Sequence, residues 1–169
     1  NLGRPDGISG IFGMSEYASV NPRHLVKMAG RIPFEDAALA EPIACAVAGA
    51  NKLDIELGQT VVVIGAGAMG LANVMVARAR GAFVVVSDLH PKRREYALKA
   101  GAHAVLDPTG GGIDRQLRAI NDGRGADVVI VAIGVESAND DALRLLAHDG
   151  KMMLFASAHP AVPISVDPN

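Results

Sequence analysis

Aromatic side chains are scarce in this chain, only 4% of its 169 residues, so any interior must be built from Val, Ile, Leu and Ala. Cysteine is nearly absent. Cys45 stands alone, which excludes an intramolecular disulfide and a cysteine cluster for a metal, and fits a reducing, cytoplasmic setting. An excess of either charge is lacking as well: the formal net charge of −2 leaves no electrostatic footprint for nucleic acid or an anionic membrane. No apolar run reaches the roughly 18 residues needed to span a bilayer, and no signal peptide opens the chain. The start at Asn1, without methionine, points to a fragment or a processed product. The length suits one domain with a substantial apolar core.

Against those absences stands an abundance of glycine, 19 residues, and of valine. Residues 1–32 carry Gly, Pro and Asn punctuation and short strand-like runs at Ile11–Phe12, Tyr17–Val20 and Leu25–Lys27, and read as a strand-rich remnant of another domain. From Pro33 the pattern is helical, through PFEDAALA and EPIACAVAGANKL, with Pro42 in a first turn, where its missing N–H costs nothing. An alternation of apolar strand and amphipathic helix follows. The expected strands are 60–65, 83–88, 102–107, 126–134 and 151–157. The expected helices are 68–80, 91–100, one with a face of Ile113, Leu117 and Ile120, and 137–147. Continuous apolar runs such as TVVVIG indicate strands covered on both faces, and the alternation implies a parallel sheet with right-handed crossovers. The Gly110–Gly112 run reads as a flexible connection rather than a phosphate loop.

The chemistry is carried by Gly65-Ala66-Gly67-Ala68-Met69-Gly70, a GxGxxG turn closing one strand and opening a helix. Gly65 permits the tight turn, Gly67 lets backbone approach a pyrophosphate, and Gly70 allows close helix packing; Ala68 and Met69 open the helix whose positive end would meet the phosphates. Asp88, 18 residues after Gly70, ends the second strand, where a carboxylate accepts hydrogen bonds from a ribose and repels a 2′-phosphate, selecting NAD. Its bland alternative is a surface acid capping the helix at Pro91. Lys92, Arg93 and Arg94 could accommodate a 2′-phosphate or form a solvated helix face, and Arg93 could lie along the ribose or adenine.

With SEYASV (15–20), FEDAALAEPIACA (34–46), TVVVIGAGAMGL (60–71), SDLHPKR (87–93), GADVVIVAIG (125–134) and GKMMLFAS (150–157), the chain resembles the zinc-dependent medium-chain alcohol dehydrogenases, in their polyol (sorbitol-like) and threonine dehydrogenase branch. The resemblance implies an α/β fold with a Rossmann doubly wound parallel sheet, residues 33–169, of strand order 3-2-1-4-5 with the family's sixth strand missing. It implies NAD as cofactor, zinc in the full-length parent, hydride transfer from a secondary alcohol of a polyol, sugar derivative or amino alcohol, and pairing of parent subunits into a homo-oligomer. It places Ala132, Ile133 and Gly134 beneath the cofactor and gives Phe155, Ala156 and Ser157 backbone contacts to the nicotinamide carboxamide. Val131 and Ile133 stand where the family commonly has a Glu and a Thr. Glu41 matches a position near the family's zinc, either as a ligand or through water, or else is a helix-start acid. No catalytic residue is expected within the chain, because the family's Cys and His ligands have no counterpart here. Cys45, one helical turn beyond Glu41, reads as a small core residue although the resemblance sets it near the nicotinamide. The five histidines have no metal spacing and read as mostly solvated. The rival readings are a zinc-free quinone or enone reductase, a non-catalytic NAD-binding module and a methyltransferase. Glu41-Pro42 and Asp88 disfavour the first, and Gly70 the last.

Overall fold

The computed structural model describes residues 16–17, 19–28, 30, 32–157 and 161–164. By its contacts the chain divides into two units, Asn1–Ala37 and Ala38–Asn169. In the described part of the first, Leu25–Lys27, expected as strand-like, forms no strand. The elements there are a 3₁₀ turn over Pro22–His24 and the short helix α1, Phe34–Ala37. The turn has a local cause: the Asn21 side chain accepts the Arg23 N–H at 3.0 Å, and Pro22 has no N–H to give a ladder. The expected strand at Ile11–Phe12 lies outside the described residues.

The second unit opens with α2, Ala40–Leu53, and then alternates β1 (Thr60–Ile64), α3 (Ala68–Ala79), β2 (Phe83–Ser87), α4 (Pro91–Lys99), β3 (Ala104–Leu106), α5 (Ile113–Ile120), β4 (Ala126–Val131), α6 (Glu136–Leu145) and β5 (Leu146–Leu154). The five strands form one parallel sheet in the order β3-β2-β1-β4-β5. The period-2 geometry of a strand splits each valine-rich run between two cores. Val61, Val63, Val84, Val86, Val128 and Ile130 face α2, α3 and α4, whereas Val62, Ile64, Val85, Val129 and Val131 face α5 and α6. Burial on both faces is why these strands read as unbroken apolar runs rather than as alternations.

Two expected strands end differently. β4 stops at Val131 instead of 134, since only the Ala132 N–H still reaches Ile64 O, at 2.9 Å, before the chain turns away. β5 begins at Leu146, before the expected 151. It opens on a register irregularity opposite Ala126–Val128, with Asp149 in the left-handed region at φ 63°. Among the described residues β5 is an edge strand, and residues 161–164 add no further one. The Gly110–Gly112 connection follows a 3₁₀ turn over Pro108–Gly110, which Asp107 shapes by accepting from Thr109 N–H at 3.0 Å and Oγ1 at 2.6 Å.

The carboxyl end of α2 is held by two cations. Lys151 Nζ on β5 donates to Leu53 O at 2.9 Å, while Arg80, following α3, donates to Ala50 O at 3.3 Å and to the Asn51 side chain. Cations there satisfy orphan carbonyls and oppose the helix dipole. Lys151→Met is expected to lower unfolding free energy by about 1 kcal/mol in urea titrations, without altering the m-value. An unchanged midpoint would show that solvent replaces the lysine at no cost.

Candidate functional site

The strand order reverses direction at β1, with β2 on one side and β4 on the other, and a crevice opens above the carboxyl ends of these strands. A cleft of about 240 Å³ lies there, bounded by Ile64 and Gly65 at the end of β1 and by Ser87 and Asp88 at the end of β2. On the far side of the cleft are Ile133 and Val135, after β4, and Ser137, Ala138 and Asp141 of α6.

The glycine turn is built as its spacing demands. Gly65 has φ 96°, a left-handed conformation that side chains resist. Gly70 lies in the first turn of α3 directly against the Gly65 carbonyl, so its tight fit is to the turn, with Ala132 Cβ the nearest sheet atom to an added methyl at 3.7 Å. Gly67 is the N-cap of α3. Nothing lies within 4 Å of where its side chain would project, and Gly67 and Ala68 are exposed, Met69 half-buried. No side chain caps this helix and no acid occupies its first turn, so its leading N–H groups are left for an anion. The open approach at Gly67 fits a pyrophosphate.

Asp88 is not the exposed helix cap of the bland alternative. It is buried, and both carboxylate oxygens are engaged, Oδ2 by Ala66 N–H at 2.8 Å and Oδ1 by His90 N–H at 2.8 Å. His90, not Asp88, is the N-cap residue of α4. One carboxylate therefore ties the glycine turn to the segment after β2. Of the three cations downstream, Arg94 is committed elsewhere, donating to Asp88 O at 2.7 Å, Leu89 O at 3.1 Å and Asp107 Oδ2 at 2.7 Å. The Thr109 hydroxyl and N–H, and then Arg94, hold the Asp107 carboxyl below its usual range, outweighing an opposing desolvation. A depressed carboxyl contributes stability above its unfolded value, lost as pH falls through the lowered one, so this clasp opens only in acid. Arg93 lines the cleft, its guanidinium 3.9 Å from Asp88 and half exposed. Lys92 Nζ lies 6.0 Å from the Tyr96 ring.

Gly65, Asp88, Arg93 and Ile133 thus meet around one cleft, while Ala132 and Gly134 flank it in sequence. Phe155, Ala156 and Ser157 do not line it. The Phe155 and Ala156 N–H groups are spent on Val131 O, at 2.9 and 3.2 Å, and the Phe155 ring packs on the α2 side of the sheet. Glu41 is exposed, and its Oε1 accepts from Cys45 Sγ at 3.1 Å. Cys45 is likewise exposed, contrary to the expected core placement, because Ala46, Gly49, Ala50 and Leu53 form the buried face of α2. The Glu41 hydrogen bond foremost, then a slight local desolvation and the Glu41 charge, push the thiol up. Two donors fall short of the three protein ligands of a catalytic zinc site, and the described residues hold no group of three or more candidate ligands. His103, exposed as the solvated reading expects, also receives Val84 N–H on Nδ1 at 2.9 Å and stacks on Phe83 at 4.6 Å. It stands beside the start of β2, away from the cleft.

A doubly wound parallel sheet with a GxGxxG turn at its switch point and a buried acid ending β2 defines a Rossmann-type domain. The model of the zinc-binding dehydrogenases matches residues 68–169. The chain belongs to that family. It is 38% identical over 141 residues to the L-galactonate-5-dehydrogenase of Escherichia coli K12, an alignment covering 83% of this chain and 41% of the relative. It is 36% identical over 147 residues to the L-threonine 3-dehydrogenase of Pyrococcus horikoshii, covering 86% and 41%. Among solved structures, a protein assigned as a zinc-binding dehydrogenase in Sinorhizobium meliloti 1021, bound to NADP, superposes with a TM-score of 0.70 at 30% identity, over 78% of this chain and 39% of the other. The chain spans about two fifths of the length of these relatives.

Proposed function

We propose that this chain is the NAD(H)-binding part of a dehydrogenase that oxidises a secondary alcohol on a polyol, sugar derivative or amino alcohol. Relatives named as galactonate, threonine and guloside dehydrogenases support the substrate class. NAD, when bound, supplies the hydride acceptor at its nicotinamide. The chain's own residues do the holding. The Gly65–Gly70 turn and the first turn of α3 take the pyrophosphate, and Asp88 takes the ribose hydroxyls. The residues after β4 flank the cofactor.

The observation that carries the NAD preference is that Asp88 is both buried and anchored. Pinned by Ala66 and His90 N–H groups, it cannot swing aside for a 2′-phosphate, and Arg94 is already spent on Asp107. Arg93, half exposed, is the cation left beside it and offers only a weak, screened attraction. Fluorescence titration should show NADH binding at least about tenfold tighter than NADPH. Asp88→Ala should weaken both, since it also frees the glycine turn, but should collapse the ratio. Equal or reversed affinities, or a ratio unchanged in the variant, would rule the assignment out.

A further inference from the structure

The Gly67 turn and the pinned Asp88 mark the pyrophosphate and ribose positions, and the cleft continues beyond Asp88. Its lining includes Leu89 and Pro108, which follow β2 and β3, and Ile133 and Val135, which follow β4. Apolar side chains lining a cleft suit a planar heterocycle, which stacks without regard to its edge. What such walls do not provide is discrimination among bases. That requires a polar group on the cleft lining aimed at the base edge.

Two acidic side chains line this cleft, Asp88 and Asp141. Asp88, which already accepts from two backbone N–H groups, is the one assigned to the ribose. Asp141, in the second turn of α6, is half-buried, whereas the adjacent Asp140 is exposed. Among the described residues the Asp141 carboxyl makes no hydrogen bond or ion pair. Burial pushes it up, the Asp140 charge adds to this, and Arg144 opposes it. A solvated helix acid would have been placed like Asp140. Asp141 instead gives up water on the lining of a cleft without receiving a donor from the protein, a cost that a ligand N–H would return.

We propose that Asp141 reads the base of the bound dinucleotide, its carboxyl accepting a hydrogen bond from the exocyclic amino group of adenine. The proposal rests on the cofactor reading above and adds a specificity residue on α6 to it. It is tested on the full chain with AMP and purine riboside 5′-monophosphate, which differ only in that amino group, each competed against NADH fluorescence.

AMP should bind about tenfold more tightly than the purine analogue, the worth of one charge-assisted hydrogen bond. Asp141→Leu should bring the ratio to about one by weakening AMP alone, with the thermal midpoint kept. Asp141→Asn retains a neutral acceptor and should keep about half the binding difference, a ratio of about threefold. A ratio near one in the unmodified chain, or a tenfold ratio surviving in Asp141→Leu, overturns the proposal and leaves the cofactor reading standing. Failure of NADH and AMP alike to bind overturns both.

Discussion

Gly70→Ala is expected to be among the most damaging single-methyl changes in this chain, lowering stability by about 3 kcal/mol or more. The added carbon would stand 1.8 Å from the Gly65 carbonyl oxygen and 2.9 Å from its carbon. Both are backbone atoms of a turn whose φ of 96° already excludes other residues, so neither can rotate out of the way. Alanine is the better helix former by about 1 kcal/mol, but that gain cannot offset backbone overlap. Relief would require α3 to move off the sheet, against the packing of Ala72, Val74, Val76 and Ala77 in the core. Urea unfolding measures the loss. A midpoint equal to wild type would mean that the Gly65–Gly70 contact is looser than described.

Gly67→Val is expected to do the reverse, sparing the fold and abolishing binding. Its backbone, φ −75° and ψ −176°, is ordinary for any residue, and nothing lies within 4 Å of the new carbon. A branched side chain there fills the space through which a pyrophosphate would approach the α3 N–H groups. NADH affinity should fall at least about 100-fold, roughly 2.7 kcal/mol, with the melting temperature nearly unchanged. Normal NADH binding by this variant would remove the phosphate from the turn. Two glycines three residues apart thus separate architecture from ligand contact.

The strands and the glycine turn were legible because their causes are local. TVVVIG and ADVVIV announce strands covered on both faces, and the five-stranded order agrees with the family resemblance. The end of β2 announced Asp88, but not its two N–H donors, which arrive from Ala66 and His90 only once β1 and β2 are paired. Arg94 looked like one of three equivalent cations. Its partner Asp107 lies 13 residues on, across β3, and no helix periodicity reveals that clasp. Asp141 carried no signal in the sequence, because the wall it joins exists only after β4 turns out of the sheet at Val131. The start of β5 was hidden for a similar reason. Leu146 pairs with Ala126 across a register irregularity where Gly125 and Gly150 let backbones approach closely, a tertiary fit without a periodic signature. In the lead-in, Leu25–Lys27 has strand-like composition but no strand, since composition alone cannot supply a partner ladder.

The parallel order of the sheet sets the sequence in which the cleft is assembled. β1, β2 and β3 are neighbours along the chain, each joined by one short helix, and can pair early with modest loop closure. β4 must return to β1 from far away, pairing Val128 with Val61, and brings Ala132 onto Ile64 and Ile133 against Gly65. The cleft is therefore completed by the most non-local step in the sheet. A nucleotide held between the β2 and β4 sides bridges the early and the late halves of the folding reaction. Its binding should therefore act as a latch on the unfolding rate, delaying the departure of β4 more than it hastens the pairing of β1 with β2.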